Sequence, residues 1–252
     1  MADGAPWYET FFDADYLRVY DHQFTPERAE KEVAFAERAL GLAPASSLLD
    51  LCCGQGRHAI LFAGRGHEVT AQDLSPEYID LAGRAAAAAG VTLRTVAADM
   101  RAIPFEGEFD AVVNMFTSFG YLETEAEDRK ALEAIARALK PGGRLLLDLV
   151  NREWVVDNYI QNDWHSGNDG ALYLEHRELD LVTSRNHVTF TAIAPDGGRK
   201  ELAGHHVRLY TLTELIGLLA GAGLDFGAVY GGFEAQPYAI TTRRMIVVAR
   251  KR

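Results

Sequence analysis

The chain has 252 residues, 48% of them hydrophobic, enough for the core of one α/β domain with elaborations. Its 25 Lys and Arg stand against 36 Asp and Glu, a net charge of −11, which argues against holding nucleic acid through phosphates. No apolar run approaches membrane-spanning length. The start, Met1 to Trp7, lacks the charged and apolar regions of a secretory leader, and Cys52 and Cys53 are adjacent and close no loop, so a cytoplasmic protein is expected.

Tyr8, Phe12, Tyr16 and Tyr20 recur every four residues. They predict one aromatic stripe on a helix within residues 7–24, packing on the domain and offering the Tyr16 and Tyr20 hydroxyls to a ligand. Thr25-Pro26-Glu27 starts a helix that runs to about Leu40 and ends at Gly41 and Pro44. A first strand follows at 47–51, a helix at 56–65 and a second strand at 67–72 that ends at Asp73. Ser75-Pro76-Glu77 caps a helix over 76–89. The third strand, 92–97, ends at Asp99-Met100-Arg101, and the fourth is 109–114. Thr124 to Glu127 reads as a capping box opening a helix over 124–139, stopped by Lys140-Pro141-Gly142-Gly143. The fifth strand is 144–150.

The rhythm then changes. Residues 152–165 read as helix or loop, with Trp154, Tyr159 and Trp164. Alternating runs at 172–177, 187–191 and 201–209, with a turn at Asp196-Gly197-Gly198, predict an antiparallel insertion. A second capping box, Thr211 to Glu214, opens a helix over 212–221. Strands at 224–230 and 245–249 finish the chain.

The expected fold is α/β: a doubly wound, mostly parallel seven-stranded sheet with an antiparallel insertion after strand five. It reads as a single domain, with 1–45 as a helical cap and 46–150 as a cofactor-binding core. Residues 151–210 form an insertion or lid, and 211–252 complete the core.

Strand, glycine turn and helix around Gly54 and Gly56 put free backbone N–H groups before a ligand. Gly54-Gln55-Gly56-Arg57-His58-Ala59 fits G-x-G-x-x-A, and Asp73 ends the second strand where a carboxylate takes ribose hydroxyls, so NAD is a candidate. Two features point elsewhere. Asp50, four residues before Gly54, would repel a pyrophosphate and attract an ammonium group. Asp99 can accept from an adenine amine while Met100 packs on the ring. Asp50, Asp73, Asp99, Asn114 and Asp148 all stand at strand ends. A cofactor with an ammonium, a ribose and an adenine but no phosphate is S-adenosylmethionine.

At these residues the sequence resembles the class I S-adenosylmethionine-dependent methyltransferases, which have Rossmann-like sheets. The resemblance rests on Leu49 to Gly56, Val69 to Ser75, Ala98 to Arg101, Phe109 to Val113 and Leu139 to Gly143. Cys52 to His58 and Met115 to Tyr121 are similar to a small-molecule group of unassigned substrate, and the second stretch also to amino-sugar N-methyltransferases. The resemblance implies that Asp50 and the Gly54–Gly56 backbone hold the methionyl amine. Asp73 and Leu74 would hold the ribose, Asp99 and Met100, with Arg101 beside them, the adenine, and Asn114 and Phe116 the methionyl side. Tyr16 and Tyr20 would close over the cofactor. One departure stands out: Cys52 occupies the place of the motif's first glycine. Its thiol reads as a small buried filler.

Arg57 and His58 begin a helix, where cations oppose the macrodipole by up to about 1 kcal/mol and call for an anion nearby. The cofactor's carboxylate is one candidate, Asp13 or Asp15 the other. Methyl transfer is an in-line displacement to nitrogen or oxygen of a small-molecule acceptor, yielding S-adenosylhomocysteine. Tyr121 and His206 (or His205) are the candidate bases, since adjacent strand residues face opposite sides. Tyr210, Trp154, Tyr159 and Trp164 would wall the acceptor pocket or pack insertion on core. No metal, nucleic acid or membrane is expected, and the chain is expected to be a monomer or homodimer. The alternatives are an NAD-dependent oxidoreductase and a non-catalytic S-adenosylmethionine-binding protein.

Overall fold

The apolar run Leu48 to Leu51 needs cover on both faces, which the centre of a sheet provides. In a computed structural model describing residues 6–252, β1 (Ser47–Leu51) lies between β2 (Glu68–Asp73) and β4 (Phe109–Asn114), parallel to both. The leader reading above falls largely on Met1–Ala5, outside the described residues. The sheet continues through β3 (Arg94–Ala97) on one side. On the other it runs through β5 (Leu139–Val150), β11 (Arg244–Lys251) and β10 (Leu224–Tyr230), in the order β10-β11-β5-β4-β1-β2-β3. Only β11 runs against its neighbours. This is the expected seven-stranded, mostly parallel, Rossmann-like sheet.

Leu48 and Leu49 point to opposite faces, as strand neighbours must. Leu48 joins Val33 and Phe35 of α3 (Pro26–Leu40) and Phe62 of α4 (Arg57–Gly64). Leu49 joins Leu132 and Ile135 of α6 (Glu125–Ala138) and Leu215 and Leu219 of α8 (Leu212–Gly221). Helix α5 (Pro76–Ala88) packs over β2 and β3.

Local signals set most helix starts. Thr25 accepts from the Arg28 amide, Ser75 from the Tyr78 amide, and Thr211 with Glu214 forms both halves of a capping box. The box expected at Thr124 is half made. Thr124 accepts from the Glu127 amide, but the Glu127 carboxylate turns to Arg101 (2.7 Å) and Lys130 (2.5 Å). Strand β5 begins at Leu139 rather than 144, because the Pro-Gly-Gly stretch runs on along β4, with Leu139 opposite Phe109. Only glycine fits at 143, where a Cβ would come within 2.9 Å of the Lys140 carbonyl.

The single N-terminal helix does not form. The chain makes α1 (Trp7–Thr10), then α2 (Ala14–Tyr20), then a 3-10 turn at Asp21–Gln23. The break has a cause: the Asp13 carboxylate accepts from the Asp15 amide (2.8 Å) and the Tyr16 amide (3.0 Å), capping a new helix. The aromatics divide accordingly. Phe11 and Val19 pack on Tyr173, Val188 and Phe190 of the insertion, while Tyr8, Phe12 and Tyr16 face the crevice.

After α7 (Arg152–Asp157), the insertion is a separate antiparallel sheet, β6 (Asn162–Ser166), β7 (Leu172–Asp180), β8 (Arg185–Ile193) and β9 (Arg199–Arg208), in that order. The candidate acceptor walls lie elsewhere. Trp154 carries Arg243 on its ring, the Tyr159 hydroxyl donates to the Arg177 carbonyl, Trp164 is 62% exposed, and the buried Tyr210 hydroxyl donates to Asp128 (2.6 Å). No helix of the described residues is long and apolar enough to cross a membrane.

Candidate functional site

The carboxyl ends of β1, β2 and β4 open into a cavity of about 740 Å³, roofed by Tyr8, Phe12 and Tyr16 from the N-terminal helices. That volume lies in the upper part of the roughly 300–1,000 Å³ range of small-molecule sites. Its floor is the turn from β1 to α4.

Gly54 and Gly56 both hold positive φ, +54° and +78°. At Gly56 a Cβ would come within 2.9 Å of the Ala82 Cβ, so this glycine lets α4 lie against α5 rather than lining the cavity itself. The Gly54 amide donates to Asp73 Oδ2 (2.8 Å), and the Ser75 amide to Asp73 Oδ1 (3.0 Å). Burial pushes the Asp73 carboxyl up, against the pull of these amides. Leu74 lies beside it on the cavity wall.

Asp50 is 2% exposed, faces the cavity, and its Oδ2 has no partner among the described residues. Burial raises its pKa, while the His58 charge and the Ala59 amide pull it back. A buried carboxylate oxygen left unpaired is costly, and an ammonium group offered from the cavity would satisfy it.

Cys52 lines the cavity with φ +60°, the left-handed conformation that glycine adopts without strain. Burial raises the pKa of both Cys52 and Cys53, so each thiol stays protonated.

Asp99 and Met100 line the cavity, but Arg101 does not. Its guanidinium is spent on Asp99 (3.0 and 2.6 Å) and Glu127 (2.7 Å). Burial would raise the Asp99 pKa, and the bonds from Arg101 bring it below the usual value. Asn114 also departs from expectation. It is 1% exposed, lies behind the cavity wall, and donates to the Leu51 carbonyl (3.0 Å), tying β4 to β1. Asp148 likewise braces: it accepts from the Phe116 amide (2.9 Å) and from Arg244 (2.7 Å). Of the five strand-end residues, then, only Asp50, Asp73 and Asp99 face the cavity.

Phe116 reaches the cavity from a backbone at φ +63°, flanked by Phe24 (5.4 Å) and with Arg28 and Arg57 over its ring (5.3 and 5.7 Å). Within the chain, the anion beside Arg57 and His58 is not Asp13 or Asp15. It is Glu32 of α3, 1% exposed, which accepts from Arg28 (2.7 Å) and Arg57 (2.7 Å) and pairs with His58 (2.6 Å). No sequence signal announces a contact across 25 residues.

Tyr16 and Tyr121 line the cavity, and burial raises both phenols well above their ordinary value. Tyr121 stacks on Phe12 (5.7 Å) and meets Trp7 edge-on (4.8 Å). Tyr20 turns away, its hydroxyl 3.3 Å from His205. His206 is outside the cavity, against Glu123 (3.7 Å) and the His187 ring (5.3 Å). His205 is also outside, and burial drives its pKa down to about 3. Neither histidine reaches the crevice, because β9 packs on the N-terminal aromatics instead of on the strand ends.

Sequence reasoning also passed over Tyr78, a cavity residue whose buried hydroxyl has no partner among the described residues. The signal was available: it stands in the first turn of α5, which faces the same crevice as Ser75. No group of three His, Cys, Asp or Glu able to hold a metal occurs among the described residues.

The family described as "Methyltransferase domain" matches residues 48–143. A dTDP-3-amino-3,4,6-trideoxy-alpha-D-glucopyranose N,N-dimethyltransferase of Streptomyces venezuelae is 28% identical, over 88% of this chain and 94% of that protein. A glycine/sarcosine N-methyltransferase of Parasynechococcus marenigrum is 38% identical, over 63% and 58%. Among solved structures, the CcbJ methyltransferase of Streptomyces caelestis superposes with a TM-score of 0.82 over 96% of this chain and 98% of that one. At 22% identity that likeness speaks for the fold.

Proposed function

The chain is an S-adenosylmethionine-dependent methyltransferase of the class I type, and from that premise we propose that it methylates a nitrogen of a small-molecule amine. The cavity suits the cofactor. The orphaned Asp50 Oδ2 asks for the ammonium group, and no pyrophosphate would lie against it. Asp50 with the Gly54 turn would hold the amine, Asp73 with Leu74 the ribose, and Asp99 with Met100 the adenine. Tyr16 would close from above, and Cys52 and Phe116 would border the methionyl side. S-adenosylmethionine supplies a methyl group on a sulfonium, open to in-line displacement.

The protein's own part is alignment and exclusion of water. Residues 6–45 act as a cap and 151–210 as a lid on one domain, bringing Tyr8, Phe12 and Tyr16 over the cavity. Their rings and that of Tyr121 suit a centre that carries positive charge. The Tyr121 hydroxyl orients the acceptor.

One observation carries the choice of nitrogen: among the described residues the cavity's imidazole, His58, is held by Glu32, and burial keeps the phenols of Tyr16 and Tyr121 protonated. Of the four carboxylates lining the cavity, Asp50, Asp73 and Asp99 would be taken up by the cofactor's groups, and Glu9 is exposed to solvent. An alcohol needs a base to make it nucleophilic, whereas a neutral amine arrives with its own lone pair. The two relatives above support this reading, both being named for methylation at nitrogen.

The test is calorimetric titration with S-adenosylmethionine, S-adenosylhomocysteine and NAD, on wild type and Asp73→Ala. Labelled methyl transfer to paired amines and alcohols of one carbon skeleton follows. Binding of the first two, lost in the variant, and transfer to amines are expected. Binding of NAD alone overturns the cofactor, and transfer to alcohols but not amines overturns the nitrogen.

A further inference from the structure

Helix α5 starts beside Asp73. The Ser75 side chain accepts from the Tyr78 amide (3.3 Å), and the Ser75 amide donates to Asp73 Oδ1 (3.0 Å), so two bonds tie the Tyr78 backbone to the carboxylate that ends β2. A helical side chain leans back over the turn before its own Cα, which directs the Tyr78 ring toward the start of α5. Ala82, one turn further on, shares its face of the helix. A Cβ placed on Gly56 would come within 2.9 Å of the Ala82 Cβ, so that face of α5 lies against the turn from β1 to α4. The same turn carries the Gly54 amide, the other backbone donor to Asp73 (2.8 Å to Oδ2). Tyr78 is thereby set between the two segments that hold the Asp73 carboxylate.

The ring is packed, but its polar end is left over. Tyr78 is 6% exposed and lines the cavity, and its hydroxyl is buried without a hydrogen-bond partner among the described residues. A buried hydroxyl left unbonded is unfavourable, and a phenylalanine would fill the same space without that cost. Burial pushes the Tyr78 phenol up, and the Asp73 charge adds to it, so the hydroxyl keeps a proton to donate. Asp73 is its complement. Each Asp73 oxygen accepts one backbone amide and keeps a lone pair for a proton offered from the cavity. A carboxylate can only accept. A sugar hydroxyl that gives its proton to Asp73 still presents oxygen lone pairs, and a buried site answers those with a donor.

We propose that the Tyr78 hydroxyl donates to a ribose hydroxyl of the cofactor, within the same diol whose protons Asp73 accepts, and so makes the site selective for ribose over deoxyribose. This rests on the S-adenosylmethionine reading above. The diol is then held from two directions, by an acceptor at the end of β2 and a donor in the first turn of α5. The unpaired hydroxyl of the ligand-free protein gains its partner when the cofactor binds.

The experiment is calorimetry with S-adenosylhomocysteine and its 2′-deoxy and 3′-deoxy analogues, on wild type and Tyr78→Phe, a cycle between one protein hydroxyl and one ligand hydroxyl. Tyr78→Phe binds S-adenosylhomocysteine about tenfold more weakly than wild type. With at least one deoxy analogue the two proteins bind equally, because the hydroxyl that Tyr78 would answer is gone. The melting temperature of ligand-free Tyr78→Phe stays level or rises, since the ring is kept and an unpaired polar atom is removed. Equal affinity of the two proteins for S-adenosylhomocysteine, or a tenfold difference that persists with both analogues, overturns the proposal. So does a lower melting temperature, which would mean that the hydroxyl already serves the fold. Failure of wild type to bind S-adenosylhomocysteine at all overturns the methyltransferase reading, and with it the link to a ribose.

Discussion

Replacing Glu32 by Gln removes the single carboxylate that neutralises Arg28, Arg57 and His58. Burial by itself would raise the Glu32 pKa. The His58 hydrogen bond and charge, the Arg57 charge and the Arg28 bond outweigh it and bring the value to about 2, from 4.5. At about 1.4 kcal/mol for each tenfold change in proton affinity, that fall amounts to about 3 kcal/mol. A depressed carboxylate contributes its stability above the unfolded pKa of 4.5 and loses it as pH falls through 2. Urea unfolding of wild type and Glu32→Gln should therefore differ by about 3 kcal/mol at pH 7, with the gap closing below pH 4.5. The variant also leaves Arg57 uncompensated at the start of α4, next to the Gly54–Gly56 turn, so under the proposed function affinity for S-adenosylhomocysteine should fall alongside. Equal stability at pH 7, or a gap that does not change with pH, would refute the reasoning.

Asp128→Asn should act with the opposite sign. Burial raises Asp128 to about 6 from 3.8, so its stability contribution is present below pH 3.8 and lost as pH rises through 6. The variant should be more stable than wild type by about 3 kcal/mol at pH 8 and level with it below pH 4; thermal melts across that range check the crossover. Asp50→Asn should leave the ligand-free protein no less stable at pH 7, because an unpaired buried charge is removed, yet weaken S-adenosylmethionine binding about tenfold or more by calorimetry. Unchanged affinity would remove Asp50 from the site. Cys52 and Cys53 should react with Ellman's reagent at pH 8 far more slowly than free cysteine, since burial keeps both protonated. Rapid labelling of the native protein would contradict that.

The order of strands and helices was legible because each is fixed locally. Buried strands such as Leu48 to Leu51 read as apolar runs, and Thr25, Ser75 and Thr211 announce helix starts with side chains that reach backbone amides a turn away. The same locality explains why Asp50, Gly54 and Asp73 were legible as residues of one cavity: strand ends in such a sheet converge on one crevice.

What failed was whatever depends on direction or on distant partners. The four-residue aromatic spacing was real, but Asp13 restarted the helix and sent Phe11 to one side and Phe12 to the other. Asn114 and Asp148 occupy the expected strand ends, yet their side chains turn away from the cavity, Asn114 to the Leu51 carbonyl of β1 and Asp148 to the Phe116 amide. His206 lost its assigned role because the packing of the insertion, which no residue near it encodes, decides where β9 faces. The chain's own sequence determined a mostly parallel, Rossmann-like sheet and the glycine turn and carboxylates at one end of its cavity. Only the tertiary structure decided that Glu32 answers Arg28, Arg57 and His58, since pairing between buried charges is settled by which helices and strands pack together.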